Sequence, residues 1–318
     1  MNYIVVTGGA GFIGANLVLK LKEIGRTDII VIDHISPRNK KNLRFLGNVI
    51  YFDKDEFKAL IKKNKLPKIS QVIHLGARTD TTETDKNFLK ENNTEYSKIL
   101  YKYSLKNKIP FIYASSAATY GDGKLGYDDS TRKLMPLNDY GKSKYVFDEW
   151  VLNNKRNPPQ WVGLKFFNVF GPYEYHKGQM ASVVYHGFNQ IKEYGKINLF
   201  KSYKKEFRNG EQKRDFIYVK DVIDVILFFL DHPNLSGIYN VGTGQARTFY
   251  DLATSLFSAL NKTPVIKFID MPEELKEKYQ YFTEAKIAKL RSAGYKQKFY
   301  PIEYAVADYV KNFLLKAF

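Results

Sequence analysis

Along the first half of the chain, short apolar runs alternate with stretches in which apolar residues recur every three or four positions. The runs are residues 3–6, 29–32, 49–52, 71–75 and 110–114. Residues 12–24, 56–63 and 91–105 carry the helical spacing, and Gly25 stops the first of them. The runs are apolar throughout rather than alternating, which predicts strands covered on both faces. Strand and helix in repeated order predict an α/β fold, a parallel sheet between two helix layers. The pattern loosens after Gly171-Pro172. Beyond it the sequence predicts a helix near 181–194 and a charged loop over 201–213 with Asn209-Gly210 at its tip. Residues 216–218 and 238–241 read as strands returning to the sheet, and the remainder as helix broken at Pro264 and Pro272. The expected division is a domain of residues 1–170, to which those two strands return. A smaller substrate-binding part over 171–318 closes over a cleft.

Between the first strand and the first helix stands Thr7-Gly8-Gly9-Ala10-Gly11-Phe12-Ile13-Gly14. Gly9, Gly11 and Gly14 match G-x-G-x-x-G, while Gly8, Gly11 and Gly14 match the variant G-x-x-G-x-x-G. Glycine there permits a tight turn, lets the backbone approach a pyrophosphate and lets the helix pack closely on the strand. The helix N-terminus then meets the anion with its N–H groups. Asp33 ends the second strand about 20 residues past the motif, where a carboxylate accepts from a ribose 2′-OH. A Rossmann-like, doubly wound dinucleotide domain follows. Asp33 favours NAD, whereas Arg38, Lys40 and Lys41 can neutralise the 2′-phosphate of NADP, so these residues leave both open.

Tyr140 and Lys144 form Tyr-x-x-x-Lys, which on a helix lies on one face. A free phenol has a pKa of about 10. A lysine ammonium and an oxidised nicotinamide close by would favour the phenolate. Lys144 can also reach the nicotinamide ribose. Upstream, Ser115-Ser116 closes the fifth strand and puts a hydroxyl at the sheet's carboxyl edge, over the cofactor. A lone Tyr-x-x-x-Lys arises by chance in a chain with 24 Tyr. The ordered set of glycine turn, Ser-Ser and Tyr-x-x-x-Lys does not.

Composition narrows the classes. The 318 residues fit about two domains of average size. Apolar residues at 44% and charged residues at 26% exclude wholesale disorder. The absence of cysteine excludes disulfides, thiolate metal sites and a cysteine nucleophile. The five histidines show no ligand spacing, so no metal is expected. No apolar run reaches about 18 residues, and the first residues carry no secretory pattern, so a cytoplasmic protein without a membrane partner is expected. The formal charge of +17 raises nucleic acid. Of the 50 cations, however, 40 are scattered lysines. Nucleic-acid readers lean on clustered arginine, so no nucleic-acid partner is expected.

At this point the whole chain resembles the extended short-chain dehydrogenase/reductase superfamily, and most closely the branch of the ADP-L-glycero-D-manno-heptose 6-epimerases. The segments that carry this are Asn168-Val169-Phe170-Gly171-Pro172, His176-Lys177-Gly178-Gln179-Met180-Ala181-Ser182 and Lys213-Arg214-Asp215-Phe216-Ile217-Tyr218-Val219. Asn240-Val241-Gly242-Thr243-Gly244, residues 77–85, residues 113–121 and Tyr279-Gln280-Tyr281-Phe282-Thr283 add to them. Lys-Gly-x-Met-Ala-Ser is the most specific. The resemblance implies an isomerase that inverts C6″ of ADP-D-glycero-D-manno-heptose by transient oxidation and reduction. Its product serves lipopolysaccharide or another heptose-containing glycan. NADP, with NAD as the alternative, is held tightly, one per subunit of a homo-oligomer, by resemblance a pentamer.

By the same resemblance Tyr140 and Lys177 are two acid/base groups facing each other across the sugar, Ser116 assists and Lys144 holds the ribose. Cofactor contacts fall on Phe12, Ile13, Asp33, His34, Lys54, Leu75, Gly76, Ala77, Arg78, Thr79, Asn92, Lys144, Val169 and Lys177. Gly8, Gly11, Gly14 and Lys40 join them from the motif reading. Substrate contacts fall on Ser116, Asn168, Gln179, His186, Phe200, Lys201, Ser202, Tyr203, Arg214 and Tyr279. Gln179 stands where the branch has Ser, and 201–213 is longer and more basic than its counterpart. An epimerase of a GDP- or UDP-linked sugar is therefore one alternative, and a non-catalytic dinucleotide binder another. A 4,6-dehydratase needs an acidic pair after the strand-end hydroxyl, and Ala117-Ala118 follow Ser116 instead. Arg214 can bind a diphosphate through its fork unless Asp215 claims it. His74 is expected to be a packed, hydrogen-bonded residue, and Asp128-Asp129 a solvated loop.

Overall fold

The computed structural model describes residues 2–37, 39–276 and 279–317. Arg38, one of the expected phosphate-neutralising cations, lies outside them. The five expected strands form as Tyr3–Thr7, Ile29–Asp33, Ile50–Asp53, Ile69–His74 and Phe111–Ser116. With Trp161–Phe166 and Gly237–Val241 they build one seven-stranded sheet. Its order is Gly237–Val241, Trp161–Phe166, Phe111–Ser116, Ile69–His74, Tyr3–Thr7, Ile29–Asp33, Ile50–Asp53. Every pairing from Trp161–Phe166 to Ile50–Asp53 is parallel. The chain leaves one edge at Asp53 and returns on the far side of Tyr3–Thr7. Such a reversal opens a crevice at the strands' carboxyl ends, the usual ligand site of an open α/β sheet.

The apolar runs are buried where helices cover both faces of the sheet, while the edge strand Ile50–Asp53 is only half-buried and its Ile50 is exposed. Val5, Ile30, Ile32 and Phe111 pack with Phe57, Leu100, Phe147 and Val151. Asp53 starts the helix Lys54–Lys63, its side chain accepting from Asp55 N–H at 2.8 Å. The expected helix over 91–105 begins earlier, at Lys86–Leu89. It widens to a π-helical turn at Lys90–Glu95 before continuing as Tyr96–Lys106.

The strand Trp161–Phe166 escaped the sequence reading because Gly163 and Lys165 interrupt its apolar pattern. Both have a packing reason. A Cβ on Gly163 would stand 2.6 Å from the Tyr113 ring. The Lys165 ammonium is buried against Asp148 at 2.6 Å.

Two compact units make up the chain. One comprises Met1–Gly121, Arg132–Phe166 and Ile223–Tyr239, the other Asp122–Thr131, Phe167–Val222 and Asn240–Phe318. The second holds the helices Val183–Tyr194, Phe249–Ala259 and Ile302–Tyr309 and three two-stranded sheets. Phe216–Tyr218 does not return to the large sheet. It pairs in parallel with Asn168–Phe170, because Asn168 N–H donates to the Asp215 carbonyl at 3.0 Å and draws the two segments together. Asp129 is not solvated either. Its carboxylate is buried and accepts from Asn240 N–H at 2.8 Å, while Asp128 meets Ser130 and Lys286. No helix among the described residues is long and apolar enough to cross a membrane.

Candidate active site

The glycine turn is built around contacts that no side chain would permit. Gly8 has φ +68°, and its N–H donates to the Ile32 carbonyl at 2.7 Å. A Cβ on Gly14 would lie 2.0 Å from the Gly8 carbonyl oxygen, and one on Gly8 2.6 Å from Gly76. Helix Phe12–Glu23 starts at Gly11 with no side-chain cap and no acidic residue in its first turn. An anion is the natural complement to such an end. Leu75 and Gly76 are drawn beside the turn, their N–H groups donating to Thr7 O at 3.1 Å and Thr7 Oγ1 at 3.2 Å. These features fit a dinucleotide.

Asp33 accepts from Ala10 N–H at 2.9 Å and His34 N–H at 2.8 Å. Burial nevertheless pushes its pKa up to about 6. The His34 ring lies 3.4 Å from the Asp53 carboxylate. Lys40 is exposed and opens the helix Lys40–Phe45. Lys54 donates to Asn92 at 2.6 Å, so two expected cofactor contacts hold each other. Arg78 turns its guanidinium to Asp80 and Glu83, and Thr79 beside it is exposed. Phe12 is buried, whereas Ile13 and Ala77 are half-buried.

Asn93 is a residue the sequence reading missed. It accepts from Arg78 N–H at 2.8 Å, donates to Arg78 O at 3.0 Å and donates to Ser143 at 2.9 Å. It thereby ties the 75–79 segment to the Tyr140 helix. A buried Asn in a helix interior, where it is disfavoured, was the signal. His74 is the packed group expected: its ring nitrogens meet Thr7 at 2.6 Å and Ser97 at 2.7 Å. Burial, helped by the Lys144 charge, takes its pKa down to about 3, so it stays neutral.

Tyr140, Ser116 and Lys144 come together in the first unit. Asn138 caps the helix Asp139–Leu152 by accepting from Gly141 N–H at 2.7 Å. Gly141 sits where a Cβ would meet Ala118 O at 2.7 Å, so this helix docks directly on the turn after Ser116. That approach brings the Tyr140 phenol beside Ser116, whose oxygen accepts from Ala118 N–H at 3.1 Å. Lys144 donates to Ala114 O at 3.0 Å, and burial brings its pKa down to about 8 against the pull of Asp148. Burial raises the Tyr140 phenol above its usual value, and the neighbouring Ser116 opposes the rise.

Beneath this site lies a network the sequence did not disclose. Asp148 accepts from Tyr113 at 3.0 Å, Ser115 at 2.6 Å and Lys165 at 2.6 Å, and Lys165 also reaches Thr119 at 2.7 Å. It fixes the strand end that presents Ser116.

Lys177, Gln179, Asn168, Val169, His186, Arg214, Tyr279 and the 200–203 segment all belong to the second unit. Lys177 sits in a short 3₁₀ turn, Tyr175–Met180, and burial lowers its pKa while the Glu174 charge opposes. The His186 ring lies 3.3 Å from Gln179 O. Asn168 is exposed and Val169 half-buried.

Arg214 is buried, with its guanidinium 5.1 Å from the Tyr279 ring and 5.6 Å from that of Phe249. Asp215 does not claim it. That carboxylate takes the N–H groups of Thr243, Gly244 and Ala285 and the Thr243 hydroxyl. Among the described residues no carboxylate forms a salt bridge with Arg214. Arg214 Nη1 donates to Lys213 O at 2.9 Å, and a guanidinium fork of this kind can pair with an anion.

The basic 201–213 loop folds on itself. Lys201 and Tyr203 share Asp270 at 3.1 and 2.8 Å, and Ser202 N–H donates to Asn209 at 2.8 Å. Phe200 meets Tyr279 edge-on, 6.3 Å between ring centres.

Residues 4–242 match the NAD dependent epimerase/dehydratase family. The chain belongs to this family. It is 51% identical to the ADP-L-glycero-D-manno-heptose-6-epimerase of Fusobacterium nucleatum, over 98% of both chains. It is 48% identical to that of Nitratidesulfovibrio vulgaris over the same shares. The resemblance read from Lys-Gly-x-Met-Ala-Ser is thus borne out. Among solved structures, the Helicobacter pylori ADP-L-glycero-D-manno-heptose-6-epimerase matches with a TM-score of 0.82 at 29% identity, covering 98% of this chain and 96% of the other. A UDP-N-acetylglucosamine 4-epimerase from Methanobrevibacter ruminantium matches at 0.85 with 24% identity, covering 99% of each, which is a likeness of fold alone. Two epimerases named for different substrates therefore share the fold of the chain.

Proposed function

We propose that this member of the family inverts C6″ of ADP-D-glycero-D-manno-heptose, with NADP as its resident cofactor. The observation that carries the reading is the 51% identity, spanning 98% of both chains, to an epimerase of that name. The glycine turn would hold the diphosphate of the dinucleotide, Asp33 and Lys40 the far ribose, and Lys144 the near one. Lys40, exposed at the start of the helix Lys40–Phe45, supports a 2′-phosphate, whereas Asp33 alone would favour NAD. A bound nicotinamide supplies reversible hydride acceptance.

The chain's own task is to orient the sugar and move protons on its C6″ oxygen. Burial keeps Tyr140 protonated and draws Lys177 towards the neutral amine. For one epimer, Lys177 takes the proton from the C6″ hydroxyl as the carbon becomes trigonal. Tyr140 returns a proton to the oxygen on the other side, and the roles exchange in the reverse direction. Ser116 holds the phenol in place and offers the oxygen a second partner. Arg214 takes the substrate's diphosphate, and Phe200 and Tyr279 give aromatic faces to its nucleoside.

Incubating the purified protein with ADP-D-glycero-D-manno-heptose, its GDP counterpart and UDP-glucose, followed by proton NMR, tests this. C6″ inversion of the ADP sugar is expected, and denaturing the same preparation should release NADP. An unchanged ADP-heptose beside a UDP-glucose inverted at C4 would overturn the reading.

A further inference from the structure

Glu174 is fully buried, at 0% exposure, and three residues before Lys177. One carboxylate oxygen accepts from the Ser182 hydroxyl at 2.7 Å and Gly171 N–H at 3.3 Å, the other from Ser182 N–H at 2.6 Å. Gly171 and Ser182 bound the loop that carries Lys177, so a single side chain clasps both its ends. The Glu174 carbonyl also accepts from Lys177 N–H at 2.9 Å. The loop bends at Gly171, φ +145°, and Gly178, φ +55°. Glycine adopts these shapes without steric cost, but it loses more conformational freedom in holding one of them than any other residue. Ser182 in turn caps the helix Val183–Tyr194 through Tyr185 N–H at 3.2 Å.

The charges around this carboxylate are few. Tyr175 and Tyr309 face it, both raised by burial, Tyr175 to about 12, and so both are neutral phenols. His176 is lowered by burial and by the Lys177 charge. Burial raises Glu174 itself, while its hydrogen bonds and Lys177 favour the ionised form.

We propose that Glu174 is the positioning residue of Lys177: it clasps the 171–182 loop shut and supplies the counter-charge to the Lys177 amine. The proposal rests on the reading of Lys177 as an acid/base group.

The test is the pH–rate profile of the cofactor-loaded protein as wild type, Glu174→Gln and Ser182→Ala, alongside competitive labelling of the Lys177 amine across pH. Glutamine keeps the Ser182 arm of the clasp, since its oxygen can accept from Ser182 N–H and its amide can donate to Ser182 Oγ, but it gives up the 3.3 Å Gly171 bond and carries no charge. The Lys177 limb and its labelling curve should both move to lower pH by about one unit. That direction holds whether Lys177 acts as base or as acid, because both limbs follow one pKa. Ser182→Ala keeps the charge and loosens the clasp. It should lower kcat by about ten- to a hundredfold with the limb unmoved.

If Glu174→Gln does not fold, Glu174→Asp withdraws the carboxylate by one methylene and should shift both curves the same way by less. Unmoved curves in whichever of the two folds, or an equal shift in Ser182→Ala, overturn the proposal. Lys177→Met separates it from the reading beneath. Wild-type turnover in Lys177→Met removes the two-base scheme, whereas an inactive Lys177→Met beside an unmoved Glu174→Gln profile removes Glu174 alone.

Discussion

Tyr140→Phe is expected to lower kcat by about a hundred- to ten-thousandfold while the fold and the dinucleotide content stay unchanged. In barrier terms that is about 3–5 kcal/mol. The substitution removes one oxygen from a side chain that is 8% exposed and leaves its ring in place. The features that seat the residue survive: the Asn138 cap, the Gly141–Ala118 contact and the Lys144 bond to Ala114 O do not involve the phenol oxygen. KM should therefore hardly move. Steady-state kinetics by NMR, with absorbance of the bound dinucleotide as a control, checks this. Retention of more than about a tenth of wild-type kcat would remove Tyr140 from proton transfer.

Asp148→Asn should be the most damaging change away from the reacting atoms. It leaves the Lys165 ammonium, 3% exposed, buried without its carboxylate. Breaking such a pair from one side costs about 3–5 kcal/mol, because the surviving charge keeps its desolvation penalty. The melting temperature should fall on the order of 10 °C. Asparagine can accept from Tyr113 through its Oδ1 and donate to Ser115 Oγ through its Nδ2, so the loss is chiefly electrostatic rather than steric. Adding Lys165→Met removes the stranded charge and should recover more than half of the loss by calorimetry. Lys144 feels the change as well. The Asp148 charge opposes the burial that lowers its pKa, so removing that charge should lower it further. A thermal shift under about 2 °C would mean that the pair contributes little.

Physical chemistry explains what the sequence disclosed of this site. Where one residue type alone satisfies a local demand, the demand is visible. Gly8 and Gly14 admit no Cβ, Asn138 and Gly141 start a helix, and the strand cores are apolar on both sides. Where a residue works through partners far along the chain, it is not. Lys165 looks like a break in an apolar run until Asp148 stands beside it. Phe216–Tyr218 has the composition of a sheet strand, and only the Asp215–Asn168 bond sends it elsewhere. Asn93 and Glu174 read as ordinary polar residues, because their worth lies in closing loops whose ends are set by the fold. Tyr-x-x-x-Lys discloses the spacing of Tyr140 and Lys144, while the burial that raises the phenol is a tertiary property.

Central to the account is a phenol from one segment and an amine from another acting on a single sugar carbon. A crystal structure of the protein with NADP and an unreactive ADP-heptose analogue tests it most directly. The account predicts Tyr140 Oη and Lys177 Nζ each within about 3.2 Å of a C6″ oxygen position, on opposite sides of that carbon. A substrate carbon touched by Tyr140 alone, with Lys177 turned to solvent, would contradict it.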